Sequence, residues 1–294
     1  MSTDLGRLGV WAALDALDAE AAAKFARQLE DWGYTALWTP EAVGRDPFAF
    51  IGFLAGRCER LVFATGIANI YARDPMTMKG IHQTIEELAP GRFVLGLGVS
   101  HQHLVSKVRG HQYKKPLTTM RNYLEALEGA LYMGAKPASQ APIVIAALRD
   151  KMLELAATKT AGAHPYLVPP EHTKRARKVM GPDAWLCPEQ MVILDSDASN
   201  ARAVARKHLA VYLGLPNYQN NLKQFGFEDR DFADGGSDRL VDAIVAWGDE
   251  RALRDRIDAH HRAGANHVCI QAFRPDGEMS PDLRALEALA PAAG

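Results

Sequence analysis

What most constrains this chain is a regular exchange between short apolar runs and longer stretches of helical periodicity. The clearest run covers 93–97, Phe-Val-Leu-Gly-Leu, which follows Pro90-Gly91 and gives way to Gly98-Val99-Ser100-His101. Five apolar residues without polar alternation suit a strand covered on both faces, as in the parallel sheet of an α/β protein. Gly96 and Gly98 remove side chains where another element must come close. Comparable runs predict strands at 8–11, 34–38, 61–65, 142–147, 161–168, 185–194 and 265–271. Between them, periodicity and Gly or Pro boundaries predict helices near 18–32, 47–58, 75–88, 117–132, 151–158, from 169, at 197–213, at 249–262 and from 281.

Eight strands alternating with helices predict a (β/α)8 TIM barrel, a fold that typically takes about 250 residues. The chain has 294 residues. The surplus falls mainly at 214–247, where Asn217, Asn220, Asn221, Gly226 and Gly235-Gly236 interrupt any period. This stretch reads as an insertion between strand seven and its packing helix at 249–262. Without a repeat, a low-complexity run or a linker, residues 1–294 read as one domain.

Charge and cysteine usage narrow the function classes. Lys and Arg number 34 against 35 Asp and Glu, and the one dense basic run, Lys174-Arg175-Ala176-Arg177-Lys178, suits a solvated helix face. Nucleic acid is therefore not an expected partner. Cys58, Cys187 and Cys269 are too few and too scattered for a disulfide framework or a cysteine zinc site, so a reducing cytoplasm is the expected compartment. No apolar stretch approaches the roughly 20 residues of a membrane helix, and no signal peptide is recognisable.

In a barrel, chemistry collects where the strands end. Those positions supply Trp11, Glu41, Asn69 with Arg73, His101 with His103, Arg149, His164 and Gln271. Three sharper motifs fail on these residues. Gly96-Leu-Gly-Val-Ser-His101 lacks the third glycine and the following helix of a dinucleotide fingerprint. His101, His103 and His111 have no carboxylate at metal-binding spacing, so no metal is expected. Ser100 lies outside any GxSxG elbow.

Gly9-Val-Trp11, Tyr34-Thr-Ala-Leu-Trp-Thr-Pro-Glu41, the stretch 61–75 (LVFATGIANIYARDP) and Pro90-Gly-Arg-Phe-Val-Leu-Gly-Leu-Gly98 together resemble the luciferase-like monooxygenase superfamily. More narrowly, they are similar to its actinobacterial branch that uses coenzyme F420. The resemblance implies a flavin or deazaflavin lying across the C-terminal strand ends. It also implies a non-prolyl cis peptide at Gly66-Ile67, with Ile67 as the backstop of the ring and Asn69 at the ring's polar edge. Glu41 matches an acidic cofactor contact. Ser100 and His101 would face the chemistry, and Arg149, Gly162, Ala163 and His164 would meet the phosphate side. Many members carry a histidine directly after the acid on strand two; this chain has Ala42, which leaves His101 or Glu41 as the proton donor. Implied with these are hydride transfer between the deazaflavin C5 and a small organic substrate, and a homodimer built on helical faces carrying Phe25, Leu29 and Trp32, or Phe48 and Phe53. An FMN-dependent monooxygenase and a non-catalytic flavin or deazaflavin carrier are the alternatives.

Overall fold

Apolar runs that alternate in direction of burial can serve two cores at once, and here they do. The computed structural model describes residues 3–291. In chain order its elements begin with β1 (Leu8–Trp11), α1 (Ala19–Asp31), β2 (Ala36–Thr39), α2 (Pro47–Ala55), β3 (Val62–Thr65), β4 (Ala68–Asn69), α3 (Pro75–Leu88) and β5 (Phe93–Gly98). They continue through α4 (Pro116–Glu128), β6 (Ile143–Ile145), α5 (Asp150–Lys159), β7 (Gly162–Ala163), α6 (Pro170–Met180), β8 (Trp185–Leu186) and β9 (Glu189–Leu194). The last are α7 (Ala198–Leu213), α8 (Pro216–Leu222), α9 (Asp238–Ile244), β10 (Val245–Gly248), α10 (Glu250–Arg262), β11 (Val268–Ala272) and α11 (Leu283–Ala288).

The strands form one curled parallel sheet in the order β10-β9-β11-β1-β2-β3-β5-β6-β7-β8. β8 and β9 are halves of one apolar run, so the two ends of that order meet. Cys269 N–H donates to Pro188 O at 3.1 Å and Asn266 N–H to Leu186 O at 3.0 Å, which ties the two halves to the last strand. Successive strand residues point to opposite faces. Trp11, Trp38, Ala64, Val94, Val144, Cys187 and Cys269 thus share the interior cluster. Val10, Leu37, Phe63, Leu95, Ile145 and Ile270 share the cluster that the helices cover.

Local chemistry sets where the helices start. Asp18, Asp46, Asp74, Asp197 and Asp249 accept N–H bonds from the first turns of α1, α2, α3, α7 and α10. Proline opens α2, α3, α4, α6 and α8, where its missing N–H costs nothing. No helix among the described residues is long and apolar enough to cross a membrane.

The structure departs from the sequence reading in four places. The run 161–168 pairs only at Gly162–Ala163, because Pro165 cannot donate and Leu167 takes a left-handed φ of 59°. The run 185–194 is divided at Cys187-Pro188 for the same reason. A π-helical turn, His103–Val108, follows the fourth run where no helix was expected. Stretch 214–247 ends in a strand, β10, laid parallel to β9. The rest of it joins α7 in a second apolar cluster containing Leu209, Leu213, Tyr218, Leu222, Leu240 and Val241, packed on Met191 and Ile193 of β9. Phe25, Leu29 and Phe48 are buried in the core and present no surface for a partner.

Candidate active site

The C-terminal ends of β2 and β3 are joined by backbone and by one carboxylate. Gly66 N–H donates to Thr39 O (2.8 Å) and Glu41 N–H to Ile67 O (3.2 Å). Glu41 Oε2 accepts the Asn69 N–H (2.8 Å), and Oε1 pairs with Arg73 (2.8 Å), with Arg109 at 4.0 Å. The Glu41 side chain is only 6 % exposed. A carboxylate so engaged has both oxygens accepting and fixes the β3–β4 turn.

Between β3 and β4 the Gly66–Ile67 peptide is cis. Trp11 Nε1 donates to Gly66 O at 2.9 Å, and a Cβ at residue 66 would stand 2.7 Å from that nitrogen, so only glycine fits. Ile67 is half-buried and lies over Gly98, where a Cβ would approach its Cδ1 to 2.4 Å. Asn69 is fully buried. Its Oδ1 accepts the Tyr71 N–H at 2.9 Å, while Nδ2 has no partner among the described residues. A buried amide N–H₂ left unpaired is rare and marks a place where an acceptor belongs.

Ser100 and His101 follow β5. Ser100 adopts a left-handed φ of 56°, and both residues are half-buried. The His101 ring lies 5.5 Å from that of Tyr218. Burial pulls its pKa below the ordinary histidine value, with Asn217 beside it acting in the other direction. Residues of 214–222 thus reach a histidine more than a hundred positions earlier in the chain. Tyr218 also stands 6.3 Å from Tyr166, and Tyr166 5.4 Å from Trp11.

Other expected contacts fall elsewhere. His164 is 1 % exposed inside the barrel, stacked on Trp38 at 4.5 Å, with Nδ1 bonded to Cys187 O (2.8 Å). Burial lowers its pKa to about 4, so it is neutral. These surroundings correct its expected place at a phosphate: it is a barrel-interior residue below the bulge. Gly162 and Ala163 are likewise buried in β7, and a Cβ at 162 would meet Trp185 O at 1.9 Å. The glycine serves strand packing. Arg149 alone of that group is exposed, at the N-terminus of α5, with no side-chain hydrogen bond or ion pair among the described residues. His103 is exposed in the π-helical turn. Among the described residues no three His, Cys, Asp or Glu gather as a metal site.

The sequence reading missed Tyr166, Tyr212, Arg109 and Glu189. Alternation from His164 would have turned Tyr166 inward. Glu189 carried its own signal, a charged residue inside a run otherwise buried on both faces.

The acid at the end of β2, the bulge beside β5 and the unpaired Asn69 amide follow one another along the chain as the motifs do, and residues 3–267 match the luciferase-like monooxygenase family model. The chain belongs to this family of enzymes. It is 28 % identical to a Mycobacterium tuberculosis protein that bears the provisional name coenzyme F420-dependent oxidoreductase, over 95 % of this chain and 97 % of the relative. It is 26 % identical to the 5,10-methylenetetrahydromethanopterin reductase of Methanolobus tindarius, over 84 % and 82 %. Among solved structures, the coenzyme F420-dependent tetrahydromethanopterin reductase of Methanopyrus kandleri superposes with a TM-score of 0.78 at 17 % identity, covering 98 % of each chain. The resemblance drawn from the motifs and the barrel expected from the strand pattern both hold.

Proposed function

We propose that this single-domain chain is a cytoplasmic F420-dependent oxidoreductase acting on a small organic substrate, with His101 as the group that gives or takes the proton. The observation that carries this reading is the unpaired Nδ2 of Asn69, buried beside the Gly66–Ile67 bulge. A ring carbonyl supplied there gives that donor its acceptor. Bound at this place, a reduced deazaflavin supplies a hydride from C5. Ile67 backs the ring, Glu41 holds the turn that carries Asn69, Ser100 lines the edge beside His101, and Arg149 is a cation for an anionic tail. The lowered pKa of His101 keeps it neutral at pH 7 and ready to accept a proton.

The relative named for F420 favours this cofactor over FMN. Titrating the purified protein with F420 and following the cofactor's fluorescence is the direct check. Saturable binding is the expected result, weakened about tenfold in Gly98→Ala, because the added methyl displaces Ile67. Failure to bind F420, with FMN bound and oxygen consumed, supports the monooxygenase instead. Tight F420 binding with no acceptor ever reduced supports a carrier.

The outer face of α2 is the partner surface this reading assigns to a second copy. Phe50 and Phe53 stack there at 6.0 Å, half-buried, with Arg45 and Arg57 over their rings. Sedimentation velocity showing a monomer at all concentrations would remove the dimer.

A further inference from the structure

One side of the barrel mouth is built wholly from uncharged groups. The Tyr166 hydroxyl lies 2.9 Å from Gln271 Oε1 and 3.2 Å from the Tyr212 hydroxyl. It has one proton for two neighbours. Spent on Gln271, that proton leaves Tyr212 donating to Tyr166; spent on Tyr212, it frees the Tyr212 proton for a guest. Trp11, Tyr218 and His101 wall this pair with rings, and Tyr212 is half-buried at the opening.

Beneath stands Glu189, 1 % exposed. Among the described residues its Oε2 accepts only a long bond from Leu167 N–H (3.4 Å), and Oε1 has no partner. The groups that feel its charge are Tyr166, Tyr212, Tyr218 and Cys269, from four different segments, and none of them is ionised at neutral pH. Burial pushes the Glu189 carboxyl itself up to about 8, so it is protonated there. A buried acid kept neutral is a hydrogen-bond donor, and an unsatisfied one asks for a partner.

We propose that this part of the mouth is a binding site for an uncharged ring compound bearing a carbonyl or hydroxyl oxygen, the oxygen being received by the Tyr212–Tyr166 hydroxyl pair. The inference rests on the function proposed above and names its substrate class. An apolar ring finds aromatic walls, and one oxygen finds a donor whose proton can turn either way. A carboxylate or phosphate would be desolvated against these rings with no cation among them to meet it, at a cost that ring packing does not offset. Of the charged groups on the cofactor side, Glu41 and Arg73 pair at 2.8 Å, Arg109 bonds Ala42 O and stands 4.0 Å from Glu41, and Arg149 is assigned to the cofactor's anionic tail.

The test compares cyclohexanone with 4-oxocyclohexane-1-carboxylate by quenching of tryptophan fluorescence, with and without oxidised F420. Cyclohexanone is expected to bind, and the carboxylate at least about tenfold more weakly. Tyr212→Phe is expected to weaken cyclohexanone about fivefold, with Tyr166→Phe as the second variant should Tyr212→Phe misfold. Binding by the wild type falls as pH rises through about 8, when Glu189 ionises, and Glu189→Gln flattens that dependence. Equal affinity for the two compounds, no binding of cyclohexanone, or unchanged binding in both tyrosine variants overturns the inference. F420 titrated into the same samples separates the two claims. F420 binding without ketone binding sinks this inference and leaves the proposed function standing, and ketone binding without F420 binding does the reverse.

Discussion

His101→Ala is expected to lose turnover by a factor on the order of 10² to 10⁴, the usual contribution of a positioned general acid or base, while binding F420 as the wild type does. The separation follows from geometry. The proposed cofactor contacts are the bulge, Asn69 and Arg149, whereas His101 lies against Tyr218 and Asn217. The direction of its pH dependence follows too. With the pKa lowered by burial, the neutral form dominates at pH 7. Oxidation of an alcohol, which needs a base, holds its rate at neutral pH and falls as the medium is acidified through that lowered value. Reduction of a ketone, which needs the protonated form, rises over the same range. Stopped-flow traces of F420 absorbance in both directions would show it, and wild-type turnover in the variant would return the proton step to another group.

Acid should unfold this protein well before its carboxylates are protonated. Burial, the largest cause in each case, lowers His82, His164, His172 and His267 from 6.5 to about 4 and His260 to about 3. Geometry fixes their neutral forms. His267 Nδ1 lies 3.1 Å from Gly6 O while Nε2 accepts from Trp38 Nε1 at 3.1 Å. His260 sits between Thr173 Oγ1 (2.8 Å) and Gln190 Oε1 (3.0 Å). A proton added to His267 Nε2 would face an indole N–H. Because the folded pKa is the lower one, the unfolded chain binds more protons below 6.5. Stability is therefore full above that value and declines as pH falls toward 4. Each histidine accounts for roughly 3 kcal/mol over that interval, and a domain holds only about 5–15 kcal/mol in total. Glu189, raised by burial, acts in the opposite sense and gains stability as pH falls from 8, which offsets about one histidine. Urea denaturation from pH 8 to pH 4 is expected to show the midpoint collapsing between 6 and 4.5 on the order of these values. A flat profile down to pH 4 would contradict the neutral, buried assignment.

The barrel was legible because its strands are apolar on both faces and its helices carry aspartate caps and prolines. Helix 75–88 begins and ends where the pattern placed it. Strand lengths were not legible where proline interrupts the ladder without interrupting hydrophobicity, at Pro165 and Pro188. β10 was hidden because Val245–Gly248 follows α9 directly, with no turn residue between them. In the site, Glu41, Gly66, Ile67 and Asn69 lie close together because the ends of β2 and β3 are adjacent in sequence order and in space. The Tyr166–Tyr212–Tyr218 group could not be read that way, since Tyr212 and Tyr218 come from the end of α7 and from α8, and only tertiary packing of 198–222 over β9 brings them to the mouth. His164 misled because a histidine near a strand end looks alike whether it faces a ligand or stacks on a buried tryptophan.

The bulge, Asn69 and His101 are proposed as parts of one deazaflavin redox site. Its most direct test is anaerobic mixing of the purified protein with reduced F420 and a panel of uncharged ketones, following the absorbance of the cofactor. The account predicts that at least one ketone oxidises F420 stoichiometrically, and that His101→Ala binds the cofactor but leaves it reduced. Reduced F420 that stays unbound, beside reduced FMN that is bound and oxidised by oxygen, would contradict it.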